Sequence, residues 1–208
     1  MSLFYYTGAS TMKALLLLLT DWEVRGRERV PLNGPLIIVS NHLNLADPPL
    51  LSASIPRKIH FMVKEELYYS RRGGIFIKAY GAFPVRRGKP DKRAVSEALK
   101  LLSEGKAIGM FPEGTRNPER KLQRGEGGTA LIARLSGAPI LPVGISGTEG
   151  IRGLYEVLSR RLKIRVNIGE PFYLPDGDIH EQTEFIMKRI ANLLPEEYRG
   201  IYASCGES

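Results

Sequence analysis

The chain has 208 residues, enough for one well-buried domain or a domain with a small appendage. Its 43% hydrophobic and 25% charged residues are typical of globular proteins, so composition excludes a disordered chain. The formal charge of +8 favours an anionic partner, namely nucleic acid, a membrane surface or a phosphorylated small molecule. Cys205 is the only cysteine, and no two of the three histidines have metal-ligand spacing, so we expect no metal and no disulfide.

The N-terminal stretch is the most apolar part of the sequence. From residue 3 to 19 it falls short of the roughly 20 apolar residues that a spanning helix needs, and Lys13 interrupts it. A helix with aromatic residues at its ends, at positions 4–6 and at Trp22, is typical of a segment that lies in the membrane interface. The alternative is a helix that packs against the core of its own domain.

After this stretch, short apolar runs alternate with amphipathic segments. In chain order the sequence predicts strand EVRGRERVP, strand PLIIVS, helix DPPLLSAS, strand IHFMV, helices KEELYYS and GIFIKAYG, strand AFPVR, helix KPDKRAVSEALKLLSEG, strand AIGMFP, helix GGTALIARLSG, strands PILPVGI and LKIRVNIG, and helix DIHEQTEFIMKRIANLL. This order predicts an α/β fold, a single layered domain with a largely parallel central sheet flanked by helices. Ligands of such domains gather at the carboxyl ends of the strands.

Two loops that follow predicted buried strands are dense in reactive side chains: SNHLNLAD after PLIIV, and PEGTRN after AIGMF. In the first loop, His42 and Asp47 are five residues apart and on a regular helix would point about 140° apart. Asp47 precedes two prolines, which fix a helix start there and leave His42 in a loop that can fold back over the carboxylate. The pair then suits a histidine general base whose other ring nitrogen is held by an aspartate.

A purely structural interpretation of the same residues stays open at this point. Asp47 before two prolines is explained equally well as the N-cap of the helix, and His42 as a residue that caps the end of the strand. Serine hydrolysis is disfavoured because the sequence has no G-x-S-x-G elbow.

Four segments, taken together, resemble the sequence blocks of the glycerolipid acyltransferase family. The stretch from His42 to Asp47, preceded by Asn41, is similar to the H-x4-D signature of its first block. Residues 81–86, 111–116 and 138–143 are similar to the second, third and fourth blocks, in the same order along the chain. The fourth of these segments also fits a core strand.

The resemblance implies an acyltransferase domain over residues 24–208, with residues 1–23 as an N-terminal apolar membrane-docking helical segment. The bacterial members that the chain most resembles transfer a fatty acyl chain from acyl-CoA or acyl-carrier protein to the sn-2 hydroxyl of lysophosphatidate, giving phosphatidate. The resemblance also implies that the reaction needs no cofactor and that the acyl thioester is a co-substrate. It further implies that the protein is located at the cytoplasmic face of the cell membrane, through monotopic or peripheral attachment.

The resemblance also implies the roles of individual residues. His42 is the expected catalytic base and Asp47 its partner. The expected substrate-binding residues, which hold the phosphate or the glycerol, are Arg86, Glu113, Gly114, Thr115 and Arg116. Arg87 stands next to Arg86, so the sequence leaves open which of the two arginines faces the phosphate.

Other functions remain possible on the sequence alone. One alternative within the family is an acyltransferase for another acceptor, namely a lysophospholipid, glycerol 3-phosphate or an amino-acid lipid. Another is a binding protein that has the same fold but catalyses no reaction. From a different class, a basic nucleic-acid-binding module explains the charge but neither the His42–Asp47 pair nor the PEGTRN loop, and no nucleic-acid-binding motif is present.

Overall fold

A computed structural model describes residues 2–71, 73–86, 88, 90–117, 119–151 and 161–203; Arg87 and Cys205 lie outside these residues. The strands are β1 (Asp21–Arg25), β2 (Leu36–Ser40), β3 (Ile59–Lys64), β4 (Phe83–Val85), β5 (Ala107–Met110), β6 (Ile140–Ser146) and β7 (Lys163–Ile168). The α-helices are α1 (Ser2–Leu19), α2 (Asp47–Ser54), α3 (Glu65–Tyr68), α4 (Gly74–Ala79), α5 (Lys92–Ser103), α6 (Gly128–Ser136) and α7 (Ile179–Ala191).

The strands form one seven-stranded sheet in the order β1-β7-β6-β2-β5-β3-β4. Strands β6, β2, β5, β3 and β4 pair in parallel, and β7 is antiparallel to β6 while β1 is parallel to β7. This arrangement confirms the predicted α/β fold with a largely parallel sheet. The carboxyl ends of the five parallel strands meet at one edge, which is where loops of such folds form binding sites.

Each face of the sheet is covered by a separate apolar core, because side chains alternate along a strand. On β2, Leu36 and Ile38 point into the core beneath α1 and α2, and Ile37 and Val39 point into the core beneath α5, α6 and α7. All four side chains are fully buried, as is typical of a central parallel strand. The loop that follows β2 therefore starts from one of the most firmly packed points of the molecule.

The predicted helix ends follow ordinary capping chemistry. The side chain of Asp91 accepts the backbone N–H groups of Arg93 and Ala94 at the start of α5, and Gly105 after its end has a φ of 70°. Helix α7 begins with a complete capping box between Asp178 and Glu181. Gly105 confirms the predicted stop of α5, and α7 begins after Asp178 as predicted but ends at Ala191, before the end of the predicted segment.

The N-terminal helix α1 combines the two behaviours that the sequence left as alternatives. Tyr5, Ala9 and Leu16 are buried, and this stripe packs α1 against α2 and the underlying core. The opposite side exposes large apolar side chains, with Leu3 at 79% and Leu18 at 77% of their accessible surface.

The end of the N-terminal segment differs from the sequence-based expectation. Trp22 was expected at an end of the helix, but it lies in β1 and packs against the core. The division into residues 1–23 and 24–208 stays a prediction; in the structure α1 ends at Leu19 and the sheet begins at Asp21. Within the described ranges, no helix has the length and apolarity required to cross a bilayer.

Candidate active site

The end of β2 is fixed by the side chain of Asn41. Its Nδ2 donates to the carbonyl oxygen of Ile145 and its Oδ1 accepts the N–H of Ile145, both at 2.8 Å. The side-chain amide thus satisfies both polar groups of the Ile145 main chain and ties the end of β2 to β6. Asn41 is only 2% exposed, which shields both bonds from water.

His42 and Asp47 lie in contact directly after this point. Nδ1 of His42 is 2.9 Å from Oδ2 of Asp47. The same oxygen accepts the backbone N–H groups of Leu43 and Asn44, each at 2.7 Å. Asp47 is completely buried and His42 is 7% exposed. The loop therefore folds the imidazole back over the carboxylate, as the sequence predicts.

Asp47 is not the N-cap of its helix, which was the purely structural interpretation of this residue. Helix α2 begins at Asp47 and is preceded by Ala46 as N-cap, and no side chain caps it. The Asp47 carboxylate points backwards to the loop instead of forwards into the first turn, because Leu43 and Asn44 present their N–H groups to it. The prediction of Asp47 as an N-cap is wrong.

The arrangement leaves one ring nitrogen of His42 for chemistry. With the Asp47 carboxylate at Nδ1, the favoured neutral tautomer carries its proton on Nδ1 and leaves Nε2 with a free lone pair. Nε2 makes no hydrogen bond with any described residue. The pair can therefore take a proton at Nε2, and the buried carboxylate then stabilises the imidazolium.

An aromatic stack supports the imidazole. The ring of Phe111, which follows β5, lies parallel to that of His42 with 4.1 Å between centroids, and Phe61 of β3 follows at 6.2 Å from Phe111. Gly109 makes room for this stack, since a Cβ at that position would lie 2.6 Å from the Phe61 ring. The stack restricts rotation of the His42 ring and shields one of its faces from water.

The Glu113 side chain contacts main-chain N–H groups of the site and forms no ion pair with a described arginine. Its Oε1 accepts the backbone N–H of His42 at 2.9 Å, and its Oε2 accepts that of Gln123 at 3.1 Å. The backbone N–H of Asn117 donates to the carbonyl oxygen of His42 at 2.9 Å, so both polar groups of the His42 main chain are held by the 111–126 loop.

Residues 114–116, directly after Glu113, form a turn at the surface. Gly114 adopts a φ of 67° and donates its N–H to the carbonyl oxygen of Phe111, which closes a tight turn. Thr115 and Arg116 are exposed, and neither has an ion pair or hydrogen bond with a described residue. The turn brings a hydroxyl and an unpaired guanidinium next to the His42 loop.

Arg86 lies further away. It follows β4, which is separated from β2 by β5 and β3, so about three strand spacings or roughly 14 Å of sheet lie between them. Its Nε is bound to Oε2 of Glu65 at 2.9 Å, and its side chain is 55% exposed. The structure thus brings together His42, Asp47, Glu113 and the Gly114–Arg116 turn, and leaves Arg86 at the far end of the same edge.

Sequence reasoning missed several residues that build the site. The sequence marks Phe111 only as part of a block that resembles the family, but its ring stacks on His42. It marks Asn117 only as part of a loop, but its N–H donates to the main chain of His42. Asn44 was not singled out, although its Nδ2 donates to the carbonyl oxygen of Ile151 at 2.9 Å and ties the His42 loop to the loop after β6. The three asparagines at positions 41, 44 and 117 were the available signal, because asparagine commonly bonds loop backbone.

The described part of the chain contains no group of three or more His, Cys, Asp or Glu side chains that is arranged to hold a metal ion. At the carboxyl edge of the sheet, the buried pair of His42 and Asp47 lies beside an exposed turn that carries Arg116.

Comparison with known proteins agrees with this arrangement. A model of the acyltransferase family matches residues 21–146, and the chain belongs to this family. It is 33% identical over 198 residues to the 1-acyl-sn-glycerol-3-phosphate acyltransferase of Bacillus subtilis (strain 168), covering 91% of this chain and 96% of that one. The enzyme of the same name from Streptococcus pneumoniae is 28% identical over 204 residues, which cover 94% of this chain and 72% of that one.

A solved structure shows the same fold. The crystal structure of the 1-acyl-sn-glycerophosphate acyltransferase from Thermotoga maritima superposes with a TM-score of 0.70 at 27% identity, covering 88% of this chain and 76% of that chain. Family membership favours the acyltransferase interpretation of the basic charge over a nucleic-acid-binding module.

The buried Glu113 carboxyl makes stability depend on pH. Burial raises its pKa from the ordinary 4.5 to about 7, although its two N–H contacts oppose the rise. Because the folded-state pKa is the higher one, the contribution of this carboxyl to stability is fully present below about pH 4.5 and is lost as pH rises through about 7. We expect the free energy of unfolding of the wild type, relative to Glu113→Gln, to fall by roughly 2–3 kcal/mol between pH 5 and 8.

Urea unfolding at both pH values measures this difference. Glu126→Gln, an exposed glutamate of the same loop, is the matched control and should keep the wild-type pH dependence. Equal pH dependence in the wild type and Glu113→Gln would contradict the assignment of this titration to Glu113.

Proposed function

We propose that this protein transfers a fatty acyl chain from an acyl thioester to the sn-2 hydroxyl of 1-acyl-glycerol 3-phosphate, giving phosphatidate. The observation that carries the proposal is the 2.9 Å contact between His42 and the buried Asp47, in a chain of the acyltransferase family. The relatives from two bacteria named above have this acceptor in their names, and the chain spans most of their length.

In the proposed reaction His42 is the general base. Its Nε2 takes the proton of the acceptor hydroxyl as the oxygen attacks the thioester carbonyl carbon, and Asp47 stabilises the resulting imidazolium. The carbon–sulfur bond then breaks, and the thiolate leaves with the proton returned by His42. No side chain of the protein is acylated, so no nucleophilic serine is needed.

The phosphate of the acceptor has a suitable partner in the Gly114–Arg116 turn. The unpaired Arg116 guanidinium and the Thr115 hydroxyl are donors of the kind that bind a phosphate dianion, and both are exposed beside the His42 loop. Arg86 joins them only if it leaves Glu65. Glu113, predicted from the sequence to bind substrate, is better placed to hold the His42 main chain, and we propose that positioning role for it.

Replacing the unpaired guanidinium tests the phosphate site. We expect Arg116→Gln to raise the KM for lysophosphatidate by about tenfold or more, because a charge-assisted hydrogen bond to the phosphate contributes about 1.5–3 kcal/mol. The KM for a monoacylglycerol acceptor, which has no phosphate, should change little. Arg134→Gln, at an exposed arginine on α6, is the control. An equal rise in KM for both acceptors would contradict phosphate binding by Arg116.

Further parts of the proposal concern the donor and the location. The donor is an acyl thioester, either acyl-CoA or acyl-carrier protein, and no other cofactor takes part. Because the acceptor resides in a bilayer, we place the protein at the cytoplasmic face of the cell membrane. The exposed apolar side of α1, with Leu3, Leu17 and Leu18, supports peripheral or monotopic attachment there.

A panel of donors and acceptors in one assay tests the proposal. Purified protein in detergent receives each acyl donor with lysophosphatidate, another lysophospholipid, glycerol 3-phosphate or an amino-acid lipid, and the acylated product is identified. Fastest turnover of lysophosphatidate supports the proposal. A clear preference for another acceptor would show that lysophosphatidate is not the substrate. Absence of acyl transfer to all the acceptors would refute the proposed function.

A further inference from the structure

An exposed apolar area away from the candidate active site is built from two elements that are far apart in sequence. Its members are large side chains at the start of α1 and around α4, each at least 45% exposed. We call it the α1–α4 surface, and it comprises Leu3, Phe4, Tyr6, Tyr69, Ile75 and Phe76. Contiguous exposed apolar residues of this kind mark contact sites in soluble domains.

Direct packing holds the two elements together. The rings of Phe4 and Phe76 are 6.3 Å apart, and those of Tyr5 and Tyr80 are 4.7 Å apart. Gly8 lies against the Tyr80 ring, which a Cβ at this position would approach to 3.1 Å. The exposed side chains of α1 and α4 therefore form one surface.

Cations border this apolar area. Arg71 is exposed and has no ion pair with a described residue, and Nζ of Lys78 lies 5.0 Å from the ring of Tyr68 and 5.1 Å from that of Tyr69. The neighbouring carboxylates are already matched by cations: Glu65 contacts Arg86 and Glu66 contacts Lys64. Apolar and aromatic residues beside surplus positive charge complement the headgroups and acyl boundary of an anionic bilayer.

The surface lies on the same side of the sheet as the catalytic pair. Helix α1 packs on α2, whose first residue is Asp47. The core beneath these helices is also the one against which Phe111 packs, and Phe111 stacks on His42. A bilayer that contacts α1 and α4 would therefore lie on the same side of the sheet as His42.

From this juxtaposition we propose that the α1–α4 surface binds the surface of an anionic phospholipid bilayer, with the internal helix α4 inserting Ile75 and Phe76 beside the N-terminal helix. The proposal rests on the proposed function only in that it assumes a lipid acceptor. It assigns bilayer contact to the body of the domain, beyond the N-terminal segment.

The first experiment measures vesicle binding of the full chain. Co-sedimentation with phosphatidylglycerol–phosphatidylcholine vesicles should show a partition coefficient at least about tenfold lower for the double variant Ile75→Ser, Phe76→Ser, because it removes two large apolar contacts. The matched control, Leu135→Ser with Ile201→Ser, removes two apolar residues elsewhere that are each 58% exposed and should bind as the wild type does. Arg71→Gln should lower binding about fivefold on anionic vesicles and leave it unchanged on neutral ones.

Activity towards acceptor dispersed in detergent separates this proposal from the function itself. Both double variants should keep that activity within about twofold, so a loss of vesicle binding with retained micellar activity supports the surface. Wild-type inactivity in detergent would refute the function and leave the binding result standing. Equal loss of vesicle binding in the control, or wild-type binding by the Ile75, Phe76 variant, would overturn the proposal.

A second measurement uses tryptophan fluorescence and keeps a large apolar side chain at position 76. In a Trp22→Phe background, Phe76→Trp should show a blue-shifted emission when vesicles are added, and Leu135→Trp should not. If the α1–α4 surface instead joins two copies of the chain, the Ile75, Phe76 variant will convert a dimer into a monomer in sedimentation without a change in vesicle binding, and the proposal fails.

Discussion

Replacement of His42 by alanine is expected to reduce kcat by about 10²–10⁴-fold, the usual contribution of a general base. The KM for the acceptor should change much less, because the proposed phosphate contacts of Thr115 and Arg116 do not involve the imidazole. Steady-state rates with detergent-dispersed lysophosphatidate and a labelled acyl donor measure the effect. His180→Ala, at an exposed histidine of α7, should keep the wild-type rate.

Removing the imidazole also empties the space against Phe111, so the variant must be shown to fold. Circular dichroism and a thermal melt should reveal a cooperative transition, with a modest decrease in Tm from the lost contact. A folded His42→Ala protein that turns over at the wild-type rate would refute the proposed mechanism. A loss smaller than about tenfold would be too small for a general base.

Asp47→Asn is expected to separate catalysis from folding. Only Oδ2 of Asp47 has hydrogen-bond partners, and Oδ1 is buried without one. An asparagine can place its oxygen at the Oδ2 position and keep the contacts to Leu43 and Asn44. The amide carries no negative charge, however, so it does not stabilise the imidazolium of His42. We expect kcat to fall by about 10²-fold or more with nearly unchanged stability.

Asp47→Ala should behave differently, because it leaves two buried N–H groups without an acceptor. Each such group costs about 1–3 kcal/mol, so the free energy of unfolding should fall together with activity. Asp176→Asn, at an exposed site, is the control for both measurements. Wild-type kcat in a folded Asp47→Asn protein would show that the carboxylate is only structural.

The order and type of the elements were readable from the sequence because they depend on local features. Apolar runs predicted the central strands, and Gly105 predicted the end of α5, where its φ of 70° lets the chain leave the helix. The fold class and the contact between His42 and Asp47 followed from the same kind of signal, since the two residues are close in sequence and the two prolines after Asp47 fix the start of the helix there.

Features that depend on distant contacts were not readable. The partners of the Glu113 carboxylate include the main chain of His42, 71 residues earlier, and the partner of Arg86 is Glu65, 21 residues earlier. The N-cap prediction for Asp47 failed because the sequence does not show that Leu43 and Asn44 turn their N–H groups towards it. The antiparallel direction of β7 is equally invisible in its apolar pattern, which is the same for either direction.

The Asn41 amide has a consequence for the stability of the site. Loops usually open with little cost in free energy and without disturbing the rest of a protein. The loop that carries His42 is instead pinned to Ile145 by two buried hydrogen bonds, in the middle of the sheet. Both bonds must break at a buried position before the loop can open, so we expect its opening to cost more free energy than that of an ordinary surface loop. The reactive geometry is thereby held more firmly than that of most loops.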